Sequence, residues 1–359
     1  MHVNDIIPVH ELAEAMADKL IRAQYHDELP LVILNYTDKA QANRIWNRAT
    51  MNARGLVYNA ATGQVVARPF RKFFNHNEEP KAKRRWSEDE MVVVNDKLDG
   101  SLGILYPTGD GNYAISTRGS FTSDQALHAT KVFKEKYADR FTPRVGFTYL
   151  FEIIYPDNRI VVDYGDTDDL VLIGVVEIKS GLTFSPTGKL SGQHWGWPGP
   201  IVETSPYKRF RDALAAPPRP NREGLVVHFL DSDERVKIKQ EDYVRLHKIV
   251  TGLNEKVVWE HMRQGKKIGE LLEPLPDELH EWVRTVWDEL EYDFFCHDHV
   301  VESVYDATFE AELIQDRKTF ALAIKDKPSW LKAALFKMLD GRDYADVIWK
   351  NIEPKGESK

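Results

Sequence analysis

Short runs of β-branched and aromatic residues, each closed by a turn signal, recur along this 359-residue chain up to about residue 250 and then cease. Such runs fold as strands whose successive side chains face opposite ways. GLVYNAATGQVVARPF, EMVVVNDKLDGSLGILY, GNYAIST, FTYLFEII, DLVLIGVVEI, EGLVVHFL and RVKIK carry the pattern. The first predicts a hairpin turning through Asn59 to Gly63. Helical periodicity is sparser here, over Val9 to Tyr25 and Ser123 to Tyr137. A Pro-rich surface loop, AAPPRPNREG, leads into Glu223. The expectation for residues 1–250 is an α+β domain dominated by antiparallel sheet.

Beyond Thr251 the pattern changes period. DELHEWVRTVWDELEYDFF places Leu279, Trp282, Val283, Val286, Trp287 and Leu290 at helical spacing. PSWLKAALFKMLDGRDYADVIWKNI repeats that pattern, with Gly341 as a break between helices. Residues 251–359 are therefore expected to form an all-helical second domain.

The formal net charge of -8 excludes a global basic field, although a local basic groove could still hold nucleic acid. A single cysteine, Cys296, rules out an intrachain disulfide and fits a reducing cytoplasm. The opening MHVNDIIPVHELAEAMADKL mixes acids into its apolar residues without a basic lead, so no signal peptide is expected. Apolar runs such as LVLIGVV are too short to span a bilayer, so no membrane association is expected.

Chemistry enters at strand ends. VVVNDKLDGSLGILY sets Lys97 at the lip of an Asp-Gly turn, with Asp99 two residues on. YLFEII embeds Glu152 in an apolar run, REGLVVHF opens a strand with Glu223, and MNARGLVY sets Arg54 before a strand. RVKIKQ puts Lys237 and Lys239 on one strand face, because side chains repeat every second residue. Buried charges are costly unless they are paired or bind a charged group. Such a set could neutralise itself, or could cradle a polyphosphate and its metal. A nucleophilic lysine must lose its proton against a free pKa of about 10.4. Neighbouring cations such as Lys237 and Lys239, with partial burial, would favour that loss and offset phosphate charge. Asp99, Glu152 and Glu223 would supply oxygen ligands for Mg²⁺ through its waters.

The order Lys-x-Asp-Gly, FEI, EGLVV and KIK resembles the covalent nucleotidyltransferase superfamily of polynucleotide ligases and RNA capping enzymes. DNA ligases and capping enzymes usually carry Arg five residues after the lysine and an OB domain after the last motif. Here Leu102 stands at that position and the chain turns helical. NARGLVY, RPFRKFFN, KLDGSLGILY, STRGSF, FEIIYPDNRIVVDY, IGVVE, EGLVVHF and VKIKQEDYVRLH are similar, in order, to the signature stretches of the phage-type RNA ligase 1 family. The resemblance covers roughly residues 30–250, with weaker motifs in the tail.

The resemblance implies that residues 1–250 form a nucleotidyltransferase domain and that Lys97 forms a covalent adduct with AMP. Arg54 and Lys72 match positions that contact the triphosphate, and Glu152, Glu223, Lys237 and Lys239 match catalytic positions. Arg118 stands where the family often has lysine, exchanging a point charge for a planar fork. Leu172 and Val226 match apolar positions beside the adenine, and Tyr36 is a further candidate for nucleotide contact. The implied cofactors are ATP as AMP donor and Mg²⁺ or Mn²⁺. The implied reaction joins RNA 3′-hydroxyl and 5′-phosphate ends through lysyl-AMP and an adenylylated 5′ end. A role in RNA repair follows, with nicked tRNA among the substrates, the helical tail as an RNA-specificity module and RNA end-healing enzymes as partners. The expected protein is a cytoplasmic monomer of a bacterial cell or phage-infected host. Rival readings are a DNA ligase or capping-type enzyme, and a non-catalytic RNA-binding scaffold.

Three other features have structural readings. Cys296, His297, Asp298 and His299 are adjacent on a predicted helix, so they point in different directions and are not expected to bind a metal. Trp282, Trp287, Trp330 and Trp349 fall among aliphatics at helical spacing, as core residues do. KAKRR, Lys81 to Arg85, could track RNA phosphates or be a solvated loop.

Overall fold

A computed structural model describes residues 1–78, 86–109, 111–187, 195–250, 252–273, 275, 277–310 and 316–354. The chain divides into two units, Met1–His247 and Lys248–Lys359. KAKRR lies outside the described residues.

The first unit opens with helices α1 (Val3–Ile6) and α2 (Val9–Ala17). The sequence pattern predicts helix through Tyr25, but α2 stops at Ala17 and strand β1 (Ile21–Tyr25) follows. The reversal passes through Lys19 in the left-handed region (φ 58), and β1 then finds a partner in β2 (Leu31–Tyr36). Pairing between strands overrides local helical periodicity here. Short helices α3 (Asp38–Ala42) and α4 (Arg48–Asn52) lead to β3 (Arg54–Asn59) and β4 (Val65–Ala67). Strands β3 and β4 form the expected hairpin, with Asn59 Oδ1 accepting the Ala61 and Thr62 N–H groups. These strands make the first sheet, in the order β1-β2-β3-β4.

Next come β5 (Phe74–Asn75), β6 (Val92–Lys97), β7 (Ser101–Gly109) and β8 (Asn112–Ser116). Helix α5 (Asp124–Lys136) begins at its Ser123 cap, as the pattern predicts. Strands β9 (Phe147–Ile154), β10 (Asp169–Glu177), β11 (Thr183–Phe184) and β12 (Thr204–Ser205) follow, then helix α6 (Phe210–Leu214). Strands β13 (Gly224–Phe229) and β14 (Arg235–Lys239) precede helix α7 (Glu241–Val250). The second sheet runs β11-β10-β9-β7-β8 and the third β12-β6-β13-β14-β5. Pairing is antiparallel except between β14 and β5.

Alternation sorts the core. One face of the second sheet (Leu105, Ile115, Phe151, Ile153, Leu172) packs on α5. Its other face (Ile104, Tyr106, Leu150, Val176) packs on Ile33 and Val57 of the first sheet. In the third sheet, Val92, Val94, Leu225, Val227 and Phe229 bury against Phe210 of α6. The opposite face is left for polar side chains.

The second unit is helical: α8 (Glu255–Arg263), α9 (Ile268–Leu272), α10 (Asp277–Glu310), α11 (Arg317–Ala323), α12 (Ser329–Leu339) and α13 (Ala345–Asn351). Leu279, Val283, Val286 and Leu290 of α10 are buried, and Gly341 (φ 66) separates α12 from α13. Phe294 stacks near Trp349, and His297 lies beside Trp330, so these tail aromatics serve packing. Asp298 accepts a hydrogen bond from the Tyr344 hydroxyl.

Candidate active site

Two rows of side chains cross the polar face of the third sheet. Lys97 on β6 pairs with Gly224 on β13, which pairs with Lys239 on β14. Two residues further along, Asn95, Val226 and Lys237 form the second row. The central position of the first row has no side chain. Gly224 has φ +154, and a Cβ there would stand 2.1 Å from the Ile238 carbonyl oxygen. The glycine thus lets β13 and β14 close up and leaves a gap between the two lysines.

Glu223, only 3% exposed, reaches this gap from the foot of β13. One of its oxygens, Oε1, lies 2.7 Å from Lys97 Nζ and 3.5 Å from Lys239 Nζ. Lys97 keeps 21% of its side chain open and Lys239 8%, so Lys97 is the more accessible amine. The Pro-rich loop before Glu223 is pinned to the back of β6. Arg219 and Arg222 bind the two oxygens of buried Asp96 at 2.6 and 2.7 Å. Main-chain pairing and this double clamp together hold Glu223 in place.

The Lys-x-Asp-Gly turn meets the second sheet at Gly100. Its N–H donates to Glu152 Oε1 at 3.0 Å, and a Cβ at this position would meet the Ile153 carbonyl oxygen at 2.5 Å. The glycine is therefore required for β9 to approach. Burial lifts the Glu152 carboxyl to about 7, with Glu223 and Asp99 adding to the rise and Lys97 and the Gly100 N–H opposing it. Across the sheet from Glu152 stands Leu102, packed with the core of Ile104 and Leu150.

Asp99 departs from the expected metal-ligand role. Its Oδ2 accepts the Val161 and Val162 N–H groups at 2.9 and 2.8 Å, and its Oδ1 accepts the Tyr243 hydroxyl at 2.7 Å. The Asp99 N–H donates to the Tyr164 hydroxyl at 2.8 Å. This buried carboxylate is occupied in tying the turn that carries Lys97 to the 161–164 loop and to α7. Among the described residues, no three His, Cys, Asp or Glu side chains converge as a metal cluster. The expected Asp99–Glu152–Glu223 set is thereby reduced to Glu152 and Glu223.

Further cations continue the site beyond β14. The Arg54 guanidinium and the Lys237 ammonium both lie near the Phe73 ring, 5.5 and 5.7 Å from its centroid. Lys72 is 5% exposed, with Nζ 5.0 to 5.5 Å from the rings of Trp46, Phe74 and Tyr36. Arg118 donates to the Tyr36 hydroxyl at 2.7 Å and stacks on the same ring at 4.9 Å. Tyr36 thus links Arg118 to Lys72.

The two apolar candidates separate. Val226 stands on the polar face, between Asn95 and Lys237. Leu172 does not. It is 0% exposed and packs with Phe151 and Trp197 on the α5 side of the second sheet. The register partner of Glu152 is Val171, and one step along a strand reverses the face. A bulge between Leu172 and Gly174 then sets Ile173 against the core that includes Leu102. The apolar wall on the Glu152 side is therefore built by Val171 and Ile173.

The sequence reading passes over Trp46, Tyr164 and Tyr243, whose contacts join segments distant in the chain. Only the adjacent aromatics of RKFFN signalled part of the aromatic wall. The whole arrangement can accept a polyphosphate along a line of cations, with one accessible amine beside a carboxylate.

Residues 52–244 match the model of a family described as RNA ligase. The chain is 27% identical over 210 residues to a Thermovibrio ammonificans protein named "Putative RNA ligase", covering 56% of this chain and 54% of the relative. It is 24% identical over 349 residues to the RNA ligase of Rhodothermus phage RM378, covering 77% and 78%. A third relative, RNA ligase 1 of Bacteriophage TS2126, is 30% identical over 207 residues, covering 52% and 49%. The chain thus spans about half the length of two of these relatives and more of the third. A solved structure of Naegleria gruberi RNA ligase with pyrophosphate aligns with TM-score 0.33 at 19% identity, covering 50% of this chain and 62% of that one.

Proposed function

Because this chain belongs to the RNA ligase family, we propose that it is an ATP-dependent RNA ligase working through a lysyl-AMP intermediate. The carrying observation is the convergence of Lys97 and Lys239 on one carboxylate oxygen of Glu223. Lys97 is the nucleophile. Its amine attacks the α-phosphorus of ATP, forming a P–N bond and giving up a proton as the bond to the leaving pyrophosphate breaks. Glu223 orients Nζ at 2.7 Å, while Lys237 and Lys239 offset charge on the reacting phosphate.

The 5′-phosphate of an RNA end then attacks the adenylate phosphorus. The P–N bond breaks, and a proton returns to the lysine nitrogen so that it leaves as an amine. Finally a 3′-hydroxyl attacks the activated 5′-phosphate and AMP departs. Arg54, Lys72 and Arg118 bind the nucleotide phosphates, and Val226 borders the base. Asp99 positions the turn that presents Lys97.

A divalent cation fits the remaining carboxylates. Burial, with the Glu223 charge adding to it, makes Glu152 resist ionising, and a cation would favour its ionised form. Mg²⁺ or Mn²⁺ would be held there by Glu152 and Glu223 through water, and would neutralise phosphate charge. Leu102, at the position where DNA ligases and capping enzymes usually carry Arg, supports this reading over those two rivals.

The test is incubation with α-labelled ATP and Mg²⁺. Label should remain on denatured protein and be absent from Lys97→Ala. Labelled protein should then seal 5′-phosphorylated RNA in preference to nicked DNA, and protein that takes no label would refute the assignment. Repair of broken tRNA is the finer proposal, checked by sequencing RNAs crosslinked to Lys97→Ala.

A further inference from the structure

We propose that Arg222 and Asn221 are positioning residues for lysyl-AMP formation, strapping the turn that presents Lys97 and the strand foot that presents Glu223 into one unit. The inference rests on the ligase reading above and gives a part to two residues outside it.

Two consecutive residues meet two consecutive residues here. Asp96 and Lys97 close β6, while Arg222 and Glu223 stand just before β13. Successive side chains leave a strand on opposite faces, so Asp96 falls on the apolar face of Val92 and Val94 and Lys97 on the polar one. Lys97 meets Glu223 at 2.7 Å on its face, and Asp96 meets Arg222 at 2.7 Å on the other. Each pair shares its backbone with the other, so the two are set together.

The Asp96 side chain is 1% exposed, and a carboxylate on an apolar face is costly unless it is paired. Arg219 takes its second oxygen at 2.6 Å and also donates to the Gly224 carbonyl at 3.2 Å. The Arg219 N–H donates to Gln240 Oε1 at 3.0 Å, and the Gln240 N–H donates to the Glu223 carbonyl at 3.0 Å. The strap thus reaches from β6 to the end of β14, with Glu223 inside it.

Asn221 carries the strap to the other side of Lys97. Its Oδ1 accepts the Asp163 N–H at 2.9 Å, and its Nδ2 donates to the Asp163 carbonyl at 2.8 Å. It has φ 52, a left-handed conformation that Asn adopts more readily than most residues. Asp163 follows Val161 and Val162, whose N–H groups hold Asp99. Lys97 is therefore fixed one residue before itself by the Asp96 clamp and two residues after itself by the 161–164 loop. Asn221 joins the two holders into a closed circuit. In-line attack demands this precision, since a misplacement of about 1 Å can cost a hundredfold in rate. Holding ATP does not demand it, so the strap should act on rate and not on affinity.

The experiment compares Arg222→Gln, Arg222→Lys and Asn221→Gly with the wild type. Glycine keeps the left-handed backbone and removes only the side chain. Single-turnover labelling from α-labelled ATP is measured at varied ATP, beside melting curves. The maximal rate of lysyl-AMP formation should fall roughly tenfold in Arg222→Gln and about threefold in Asn221→Gly, with Arg222→Lys in between wild type and Arg222→Gln. The half-saturating ATP concentration should stay within about twofold of wild type. In a Glu223→Gln background the same substitutions should cost less than about twofold, because the pair they align is already broken.

Folded Arg222→Gln and Asn221→Gly proteins with the wild-type maximal rate overturn the proposal. So does a loss confined to ATP affinity, or a loss of full size in the Glu223→Gln background, which a merely structural role would give. If Arg222→Gln does not fold, Asn221→Gly decides by the same readouts, because Asn221 is exposed. Wild-type protein that forms no lysyl-AMP sinks the ligase reading itself, whereas normal wild-type labelling with unmoved variants sinks only the strap.

Discussion

Lys97 Nζ and Glu223 Oε1 stand 2.7 Å apart, across a strand position that carries no side chain. Lys239 approaches the same oxygen at 3.5 Å from the other side of Gly224. Replacing Glu223 with Gln keeps the shape and removes the charge that gathers both amines. Lysyl-AMP formation should fall by at least about a hundredfold, and the melting temperature should drop too, because two largely enclosed ammoniums lose their anion. Single-turnover labelling from α-labelled ATP measures the first, and calorimetry the second.

Gly224→Ala should act on the frame. Its Cβ would meet the Ile238 carbonyl oxygen at 2.1 Å, so β13 and β14 must separate. We expect a loss of roughly 3 kcal/mol or more, seen as a lower urea midpoint, together with weaker labelling. Unchanged stability would show that the strands have room to yield.

Leu172→Ala should separate core from site. The residue is fully buried against Phe151 and Trp197, so its truncation should cost about 2–5 kcal/mol. The half-saturating ATP concentration of the folded protein should stay within about twofold of wild type. A large rise in that concentration with little loss of stability would place Leu172 at the nucleotide after all.

Glu152 should link metal binding to pH. Its folded value of about 7 lies above the ordinary 4.5, so the native state holds a proton that the unfolded state has lost. This contribution to stability is fully present below about pH 4.5 and is lost as pH rises through 7. A cation at the site favours the ionised form. Binding of Mn²⁺ should therefore release protons between about pH 6 and 7, seen by calorimetry in buffers of different ionisation enthalpy. Glu152→Gln should abolish the release.

His228 should make the fold acid-sensitive. Burial, then the Arg235 guanidinium, push its imidazole down to about 4 despite a 2.6 Å contact with Asp233. The native state thus resists a proton that the unfolded chain takes up near 6.5. Stability should be lost as pH falls from about 6.5 to 4, by on the order of 3 kcal/mol. Denaturant midpoints across that window, for wild type and His228→Gln, measure it. The variant should show the shallower slope.

The linear order of residues determined much of this protein. Strand alternation announced Lys237 and Lys239 on one face, the turn announced Lys97, and the change of period near residue 250 announced a helical second unit. Those features are local, because a strand's two faces and a helix's stripe follow from backbone geometry alone. What partners supply could be decided only in three dimensions. Strand pairing turned Ile21–Tyr25 from the expected helix into β1, and β10, with its bulge, put Leu172 on the α5 face. Backbone donors from a distant loop claimed Asp99, and the Trp46 ring came to lie beside Lys72. Register and long-range hydrogen bonding are chosen by competition among all segments at once, so no single stretch of sequence contains them.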